Sequence, residues 1–419
     1  MIVISNLYAP NPLLGSDCFI PDVEAHVWED GRIYLYGSFD YQGGDDYCSD
    51  LYHVYSSDNL KDWVDHGISF SLNHTSWAQN CRALYAPDCA FRNGIYYLYY
   101  CVPDGRCGVA TSSKPYGPFK DVGVIEGVLG IDPSVLIDDD GQAYLYWGQF
   151  DKVRVAKLKE NMVEIEQDSI VQPLSVAEHE FHEGSSVKKI NGKYYYLFTD
   201  THRHGGKATA LGYAISDNPM TGFKYAGIII DNFGCDPESW NNHGSMECFN
   251  GQWYIFYHRS THGSKFSRHV CAEPIFFDSD GRIAEIPQTS KGVGDTLPAN
   301  LVIPANLACE LSGNIRIEGD LESKHNLVLS KISNKDSATY RYLKFENEKT
   351  VCLKAKADED CRVELYLNSV YWDCLMIPKS KNYVTVCKEV SPQKGEYELC
   401  LKFFGEFNSA FLEEFSFSK

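Results

Sequence analysis

The chain has 419 residues, which is enough for two or three domains of ordinary size with a large buried core. Its 57 acidic residues outnumber its 38 Lys and Arg, and the resulting net charge of -19 disfavours binding to nucleic acid or to an anionic membrane surface. With 44% hydrophobic and 23% charged residues the composition is globular, and it is unusual only in its 28 Tyr, 33 Gly and 15 Cys.

The N-terminal segment, MIVISNLYAPNPLLG, lacks the basic region, long apolar core and small-residue cleavage site of an export signal. No apolar stretch approaches the roughly 18 residues that span a membrane. The cysteines are odd in number, form no CxxC pair and lie mostly in apolar, strand-like runs. We therefore expect a soluble, cytoplasmic protein with free thiols, and a disulfide framework is the alternative.

One short phrase occurs five times along the first 260 residues. It consists of Asn or Asp, then Gly, then a Tyr three residues beyond the Gly. Asn-Gly and Asp-Gly favour tight hairpin turns, and the Tyr-rich run behind each is typical of a strand. Each phrase therefore predicts one β-hairpin. The five phrases are DGRIYLY from Asp30, NGIYYLY from Asn93, DGQAYLY from Asp140, NGKYYYL from Asn191 and NGQWYIF from Asn250.

The turn glycines of these phrases lie 63, 47, 51 and 59 residues apart, close to the length of a four-stranded propeller blade with its loops. A second phrase, of the type YHVYSSDNLKDWVDHG, alternates with the first and predicts the outer hairpin of each blade. The repeat predicts an all-β fold with a five-bladed β-propeller over residues 1–297. A β-sandwich with repeated hairpins is the alternative, although it gives no reason for strict alternation of two phrases.

After Pro298 the repeated phrase stops, and short runs such as TVCLKAKA and CRVELYLN alternate apolar with polar residues. This pattern predicts a second all-β domain over residues 298–419, of the β-sandwich (jelly-roll-like) type. The Gly- and Pro-containing stretch IPQTSKGVGDTLPAN precedes it and predicts the linker.

Three acids share one position in the repeat. Asp22, Asp132 and Glu183 each lie nine residues before a turn glycine, and His243 lies eight before another. Because the innermost strands of all blades surround one axis, residues at the same position converge there although they are far apart in sequence. Each acid alone could be a turn or capping residue, and His243 a buried core histidine. Their common position favours a site instead.

Converging carboxylates of this kind suit glycoside hydrolysis with inversion. One carboxylate activates water, and a protonated carboxylic acid on the other side of the sugar donates to the leaving oxygen. The two groups then stand about 6.5–9.5 Å apart, against about 5–5.5 Å in retaining enzymes. Crowded acids also disfavour joint ionisation, which keeps at least one of them protonated near neutral pH.

The same residues lie in phrases that resemble glycoside hydrolase family 43, which contains five-bladed propeller α-L-arabinofuranosidases, β-xylosidases and arabinanases. The resemblance covers the whole propeller and implies that Asp22 is the general base, Asp132 the acid that orients and tunes its partner, and Glu183 the general acid. The phrases are IPDVEAHVWEDGRIYLYGSFD, LYAPDCAFRNGIYYLYY, GIDPSVLIDDDGQAYLYWG, HEFHEGSSVKKINGKYYYLF and NNHGSMECFNGQWYIFYHRS.

The resemblance also implies roles in substrate binding. Phe39 and Tyr85 match positions that wall the sugar pocket, and Arg268 matches an arginine that reaches a sugar hydroxyl; the alternative for Arg268 is a solvated strand end. His243 matches an axial histidine that also contacts sugar and that stands near a central calcium ion in many members, directly or through water. No cofactor is required, and such a calcium ion would be structural and largely hydrated, since calcium prefers oxygen ligands.

The sequence therefore predicts an inverting exo-glycosidase that removes terminal α-L-arabinofuranosyl or β-D-xylosyl residues from plant-derived oligosaccharides. The second domain resembles family 6 carbohydrate-binding modules, with Tyr371 and Trp372 as either sugar platforms or packing aromatics. Two alternatives stay open: a retaining fructan or sucrose enzyme, whose WMNDP and RDP phrases are absent, and a non-catalytic carbohydrate-binding propeller. The oligomeric state cannot be inferred from the sequence.

Overall fold

The computed structural model describes residues 2–5 and 8–419, and its regular structure is almost entirely β-strand. Within this part of the chain no helix is long and apolar enough to cross a membrane. Among the described residues the only α-helix is one turn, α1 (Val176–His179), and four 3-10 helices lie in connections. These 3-10 helices are Leu72–His74, Phe150–Lys152, Gln167–Ser169 and Ala305–Leu307.

Five antiparallel sheets follow one another along the first 275 residues, and we number them as blades one to five. Blade one holds β1 to β5, blade two β6 to β9, blade three β10 to β12, blade four β13 to β16 and blade five β17 to β19. The strands are β1 (Ile2–Ser5), β2 (Glu24–Val27), β3 (Ile33–Tyr36), β4 (Leu51–Ser57), β5 (Asp62–Ser71), β6 (Tyr85–Arg92), β7 (Ile95–Cys101), β8 (Arg106–Ser112), β9 (Lys120–Leu129), β10 (Ser134–Ile137), β11 (Ala143–Trp147), β12 (Arg154–Leu158), β13 (Phe181–Ile190), β14 (Lys193–Asp200), β15 (Ala210–Ser216), β16 (Lys224–Asp231), β17 (Ser245–Phe249), β18 (Gln252–Thr261) and β19 (Ser264–Ile275).

The five repeated phrases form the turns between the two innermost strands of each blade. All five turn glycines have φ between 73° and 85°, a left-handed conformation that glycine adopts without a steric cost. The tyrosines behind the turns help to fill the space between neighbouring blades, as Tyr34 does by packing with Leu98 and Tyr100 of blade two. The predicted hairpins are thus confirmed.

The innermost strands β2, β6, β10, β13 and β17 surround the axis, and each contacts the next, with β17 returning to β2. Ser245 ties the last of these strands to the first: its hydroxyl accepts from the backbone N–H of Ala25 at 3.0 Å and donates to the carbonyl of Val23 at 2.8 Å. The N-terminal segment also joins blade five, because the N–H of Leu13 donates to the carbonyl of Val270. The five sheets therefore form one closed propeller.

The remaining strands build two six-stranded sheets that enclose one apolar core, which is a β-sandwich. One sheet has the order β20-β25-β30-β27-β28 with β22 beside β25, and the other β23-β24-β31-β26-β29 with β21 beside β31. The strands are β20 (Leu297–Pro298), β21 (Ile303–Pro304), β22 (Glu310–Ser312), β23 (Arg316–Gly319), β24 (Leu327–Ile332), β25 (Ser337–Glu346), β26 (Thr350–Ala357), β27 (Cys361–Leu367), β28 (Val370–Ile377), β29 (Ser380–Glu389), β30 (Lys394–Phe404) and β31 (Ala410–Ser418).

The predicted boundary between residues 297 and 298 falls inside β20. Leu297 pairs with Leu343 of β25 and is buried in the sandwich core. The last strand-type bridge of the propeller before it joins Phe277 and Ile283, and later hydrogen bonds still tie Ile286 to Ile229 and Thr289 to Glu273. We therefore propose that the boundary lies within residues 284–296, a stretch without strand structure.

The expectation of free thiols is wrong for two cysteines. Cys352 of β26 and Cys387 of β29 form a disulfide, because they are directly opposed in an antiparallel pair with their Cα atoms 4.1 Å apart. The other thirteen cysteines are free, and most of them are buried. This single bridge covalently links two neighbouring strands of one sheet, and one bridge is not a disulfide framework.

Candidate active site

The structure brings the three predicted acids together with His243 at one end of the propeller axis. Asp22, Asp132 and His243 each precede the inner strand of their blade, and Glu183 lies at the start of β13. All four line one pocket with a volume of 270 Å³. The complete lining is Asp22, Tyr47, Cys48, Tyr85, Pro103, Ile131, Asp132, Gln149, Glu183, Trp240, Asn241, His243 and Arg268.

The backbone aims these acids by unusual local conformations. Asp22 and Asp132 have φ of 59° and 56°, in the left-handed region that residues other than glycine seldom adopt. Glu183 lies in a β-bulge, with register shifts on both sides of it and Gly184 at φ 74°. Such strain is typical of sites where the surrounding structure holds a side chain in place for function.

Asp22 is buried and faces a guanidinium. Arg268 donates from Nη1 to Asp22 Oδ1 at 2.9 Å, and His258 Nδ1 lies 3.5 Å from the same oxygen. Burial alone would raise the pKa of Asp22, but the charge of Arg268, assisted by His243 and His258, holds it below its usual value. Asp22 is therefore a carboxylate at neutral pH, the form that a general base requires.

Asp132 has the opposite electrostatic environment. Burial, followed by the charges of Glu183 and Asp22, raises its pKa well above the usual value. Its Oδ2 accepts from the N–H of Gly184 at 3.2 Å, which fixes it beside the strand that carries Glu183. Gln149 donates to Glu183 Oε2 at 2.6 Å. Asp132 therefore retains its proton to higher pH than Asp22 does.

His243 lies between the acids, with Nδ1 3.9 Å from both Asp22 Oδ1 and Asp132 Oδ2. Burial lowers its pKa, so the imidazole is neutral at pH 7. This donor set fits calcium poorly, because calcium takes about six to eight oxygen ligands and the protein offers one nitrogen and two carboxylates here. Calcium at this place would be held mainly by water.

Of the predicted sugar-binding residues, Tyr85 and Arg268 line the pocket and Phe39 does not. Tyr85 lines the pocket, as expected. Phe39 is not among the lining residues: its ring stacks on the imidazole of His53 at 4.9 Å and packs against the core of blade one. Arg268 is no solvated strand end, since it is 2% exposed and also chelates Asp40 through Nε and Nη2 at 2.9 and 3.0 Å.

The sequence interpretation missed several lining residues. Tyr47 and Trp240 meet edge to edge through a hydrogen bond from Trp240 Nε1 to the Tyr47 hydroxyl, and together they close one side of the pocket. Trp240 directly precedes the NNHGS phrase, which could have drawn attention to it. Gln149 and Cys48 lie in loops between hairpins that carry no repeated pattern, so no sequence signal indicated them.

In the sandwich, Trp372 is a packing residue, because its ring stacks on Phe417 at 5.7 Å and meets the edge of Phe345. Tyr371 is 52% exposed. A larger cavity of 440 Å³ lies between the two domains, and its lining contains no carboxylate. The pocket at the propeller axis is thus the candidate for hydrolytic chemistry.

A five-bladed propeller with three carboxylates in an axial pocket defines a class of carbohydrate-hydrolysing enzymes. A family model described as Glycosyl hydrolases family 43 matches residues 9–283, more than half of the chain. The protein belongs to glycosyl hydrolases family 43 and is a glycoside hydrolase.

Curated relatives agree with this assignment. The chain is 33% identical over 345 residues to a xylosidase/arabinosidase of Thermoclostridium stercorarium, with 72% of each protein covered. It is 32% identical over 322 residues to a xylosidase/arabinosidase of Bacteroides ovatus, which covers 64% of this chain and 95% of the relative.

Solved structures show the same architecture. An arabinoxylan arabinofuranohydrolase from Bacillus subtilis, in complex with cellotetraose, is 23% identical with a TM-score of 0.59 and covers 100% of this chain and 99% of its own, which supports the fold of both domains. A β-xylosidase/α-arabinofuranosidase from a compost metagenome is 29% identical with a TM-score of 0.59 and covers 66% of this chain and 97% of its own. That enzyme was determined with xylotriose in a calcium-free form.

Proposed function

We propose that this enzyme is an inverting exo-glycosidase that releases terminal α-L-arabinofuranosyl or β-D-xylosyl residues from xylan-derived oligosaccharides. The observation that carries the proposal is the meeting of Asp22, Asp132 and Glu183 in one small axial pocket, where the pKa of Asp22 is lowered and that of Asp132 is raised. The sugar class comes from the relatives, which are named xylosidase/arabinosidase.

Asp22 is the general base in this proposal. Its carboxylate, kept ionised by Arg268, takes a proton from water as that water attacks the anomeric carbon. Arg268 stays bonded to Asp40 and Asp22, so it supports the base and positions it; the contact to a sugar hydroxyl expected from the family resemblance is a second use of the same guanidinium.

Glu183 is the general acid, and Asp132 positions and tunes it. The acid donates its proton to the leaving glycosidic oxygen while the bond to the anomeric carbon breaks. Asp132, whose pKa burial and the charge of Glu183 raise well above its usual value, stays protonated beside the acid and tunes it. The neutral imidazole of His243 lies 3.9 Å from both Asp22 and Asp132 and can contact sugar hydroxyls without adding charge.

The pocket size favours exo action. Its 270 Å³ is below the about 300–1,000 Å³ of pockets for drug-sized ligands, which suits one pentose ring. Tyr85 and Trp240 present aromatic surfaces in the lining, and such surfaces pack against the apolar faces of sugars. A narrow axial pocket of this kind receives the end of a chain and does not accommodate its middle.

No cofactor takes part in this mechanism. The acids supply both proton transfers, and calcium near His243 would be hydrated and structural. We expect full activity in the presence of EDTA, measured as kcat/KM after dialysis.

The proposal is tested by replacing the acids. Glu183→Gln and Asp22→Asn are expected to lower kcat/KM on p-nitrophenyl arabinofuranoside or p-nitrophenyl xyloside by about 100- to 10,000-fold, the usual contribution of a general acid or base. Glu178→Gln, an exposed acid on α1, is the matched control and should be unaffected. NMR of the first sugar released should show inverted anomeric configuration; near-normal activity of Glu183→Gln, or retention, would refute the assignment.

A further inference from the structure

A second polar cluster lies on the inner strands beyond the catalytic pocket. Among the described residues, Glu24 and His26 of β2 and Asp88 of β6 each direct one ligand atom to a common point, and these three atoms lie within 4.8 Å of one another. None of the three lines the catalytic pocket. Since Glu24 and His26 are two residues apart in a strand, their side chains leave the same face.

Glu24 is buried without the hydrogen bonds that a buried carboxylate needs. It is 4% exposed, and its Oε1 has no hydrogen-bond partner. Such an atom normally costs free energy, so a missing partner at this place calls for a ligand that supplies positive charge. Ser186 Oγ, on the inner strand of blade four, is the nearby hydroxyl that acts on the Glu24 carboxyl, but the two are not in hydrogen-bond geometry.

The cluster holds more carboxyl groups than cations. Among the described residues, Lys188 is the cation that acts on Glu24. Its Nζ donates to Glu247 Oε2 at 2.9 Å and to the carbonyl of Ala25 at 3.2 Å, and it lies 3.4 Å from His26 Nδ1. One lysine therefore faces three carboxyl groups, those of Glu24, Asp88 and Glu247, in a largely buried place. A divalent cation would add positive charge beside these groups.

The ligand types indicate the kind of ion. His26 Nε2 lies 2.6 Å from Asp88 Oδ1, so a bound ion would replace the proton that these two atoms now share. Behind the ring, Nδ1 lies 3.4 Å from Lys188 Nζ and 4.0 Å from Glu247 Oε2, and Trp28 stacks on the imidazole at 4.9 Å. These contacts together fix the orientation of the ring. Two carboxylates with one imidazole suit a first-row ion better than calcium.

We propose that Glu24, His26 and Asp88 form a binding site for one divalent first-row metal ion of the Mn²⁺ class, separate from the catalytic pocket. The ion would link the inner strands of blades one and two. Partial exposure of His26, Lys188 and Glu247, at 13%, 16% and 16% of their side chains, leaves an entry path.

The test uses Mn²⁺ as the probe, with the full-length protein and excess Ca²⁺ present to occupy any oxygen-only site. Mn²⁺ binding is measured by electron paramagnetic resonance, and thermal unfolding is followed in parallel. The wild type should bind one Mn²⁺ per chain and unfold at a higher temperature with it. Glu24→Gln and His26→Asn should each weaken binding by about tenfold or more, the scale of a disrupted metal site.

Two controls locate the ion. His53→Asn removes another histidine from a partly buried pair with an aspartate, Asp65, that has no third ligand, and it should leave Mn²⁺ binding unchanged. His243→Asn should also retain the ion. No Mn²⁺ binding by the wild type, unaltered binding by Glu24→Gln and His26→Asn, or loss of binding on His243→Asn alone would each overturn the proposal.

Discussion

At the scale of single residues, the charge of Arg268 determines which acid of the pocket has a lowered pKa. Its guanidinium bonds Asp40 through two nitrogens and Asp22 through the third, and all three side chains are buried. The same charge that lowers the pKa of Asp22 acts more weakly on Asp132, whose pKa burial and Glu183 raise. One cation next to Asp22 therefore keeps the pKa of this base below the pKa of Asp132.

Removing this cation should move the acid limb of the pH–rate profile. In the double variant Asp40→Asn/Arg268→Gln both charges disappear together, so Asp40 is not left as a second buried carboxylate without a partner. The pKa of Asp22 then rises, and because the base must be ionised, kcat/KM should begin to fall at a pH about 1–3 units higher than in the wild type. The measurement is kcat/KM against pH from 3 to 8.

Asp40→Asn alone is the control, since Arg268 then remains paired with Asp22. Its acid limb should stay at or below the wild-type position. An unchanged acid limb in the double variant would show that Arg268 does not set the protonation of the base.

Sequence reasoning reached these acids through their common position in the repeat, and the family resemblance named Arg268 and Phe39, but neither gave the contacts that hold these two side chains. Arg268 enters the pocket from β19, the last strand of the last blade, and its burial depends on Asp40 from blade one. Phe39 is adjacent to Asp40 in sequence, yet its ring points to His53. Packing between blades determines the direction in which such side chains point. The sequence repeat within one blade carries no information about that packing.

At the scale of elements, the irregular start of β13 places Glu183, in an otherwise regular hairpin, in the active site. The hairpin itself was predictable, because the Asn191-Gly192 turn and the Tyr-rich run after it are strong local signals. The bulge at Glu183 was not, since it results from the register of β13 against β14. It depends on Gly184, where an added Cβ would lie 3.0 Å from both His243 Cδ2 and Thr199 Oγ1.

Gly184→Ala should therefore damage activity as well as stability. The methyl group would press on His243 and shift Glu183, and we expect kcat to fall by about 100-fold, as for a small misplacement of a catalytic group. Gly192→Ala is the matched control, because its φ of 79° is similar and an added Cβ would meet nothing within 4 Å. Both variants should lose about 1–2 kcal/mol of unfolding free energy from backbone strain.

The comparison is made by urea unfolding and by kcat on a nitrophenyl glycoside. Only Gly184→Ala should lose activity. Equal kcat values in the two variants would mean that the bulge does not position Glu183.

At the scale of the whole molecule, one buried group of residues joins the first propeller segment, the last blade and the linker to the sandwich. Glu273 of β19 accepts from the N–H of Thr289 at 2.7 Å and from Asn11 Nδ2 at 2.9 Å. The N–H of Asn11 donates to Ser290, and the next linker residue, Lys291, donates to the carbonyl of Arg341 in the sandwich. The two domains could be predicted from the sequence. This connection could not, because it joins Asn11 to residues more than 250 positions away and produces no local sequence pattern.

Glu273 should make the stability of the propeller depend on pH. Burial raises its pKa to about 7, above the ordinary 4.5, despite the hydrogen bonds that oppose this. A raised folded-state pKa contributes stability that is fully present below pH 4.5 and is lost as pH rises through 7. Relative to Glu273→Gln, which does not titrate, the wild type should therefore lose about 3 kcal/mol of unfolding free energy between pH 4 and pH 8. Urea unfolding followed by tryptophan fluorescence measures this, since six of the seven Trp residues lie in the propeller; parallel pH curves for the two proteins would contradict a neutral Glu273 at the joint.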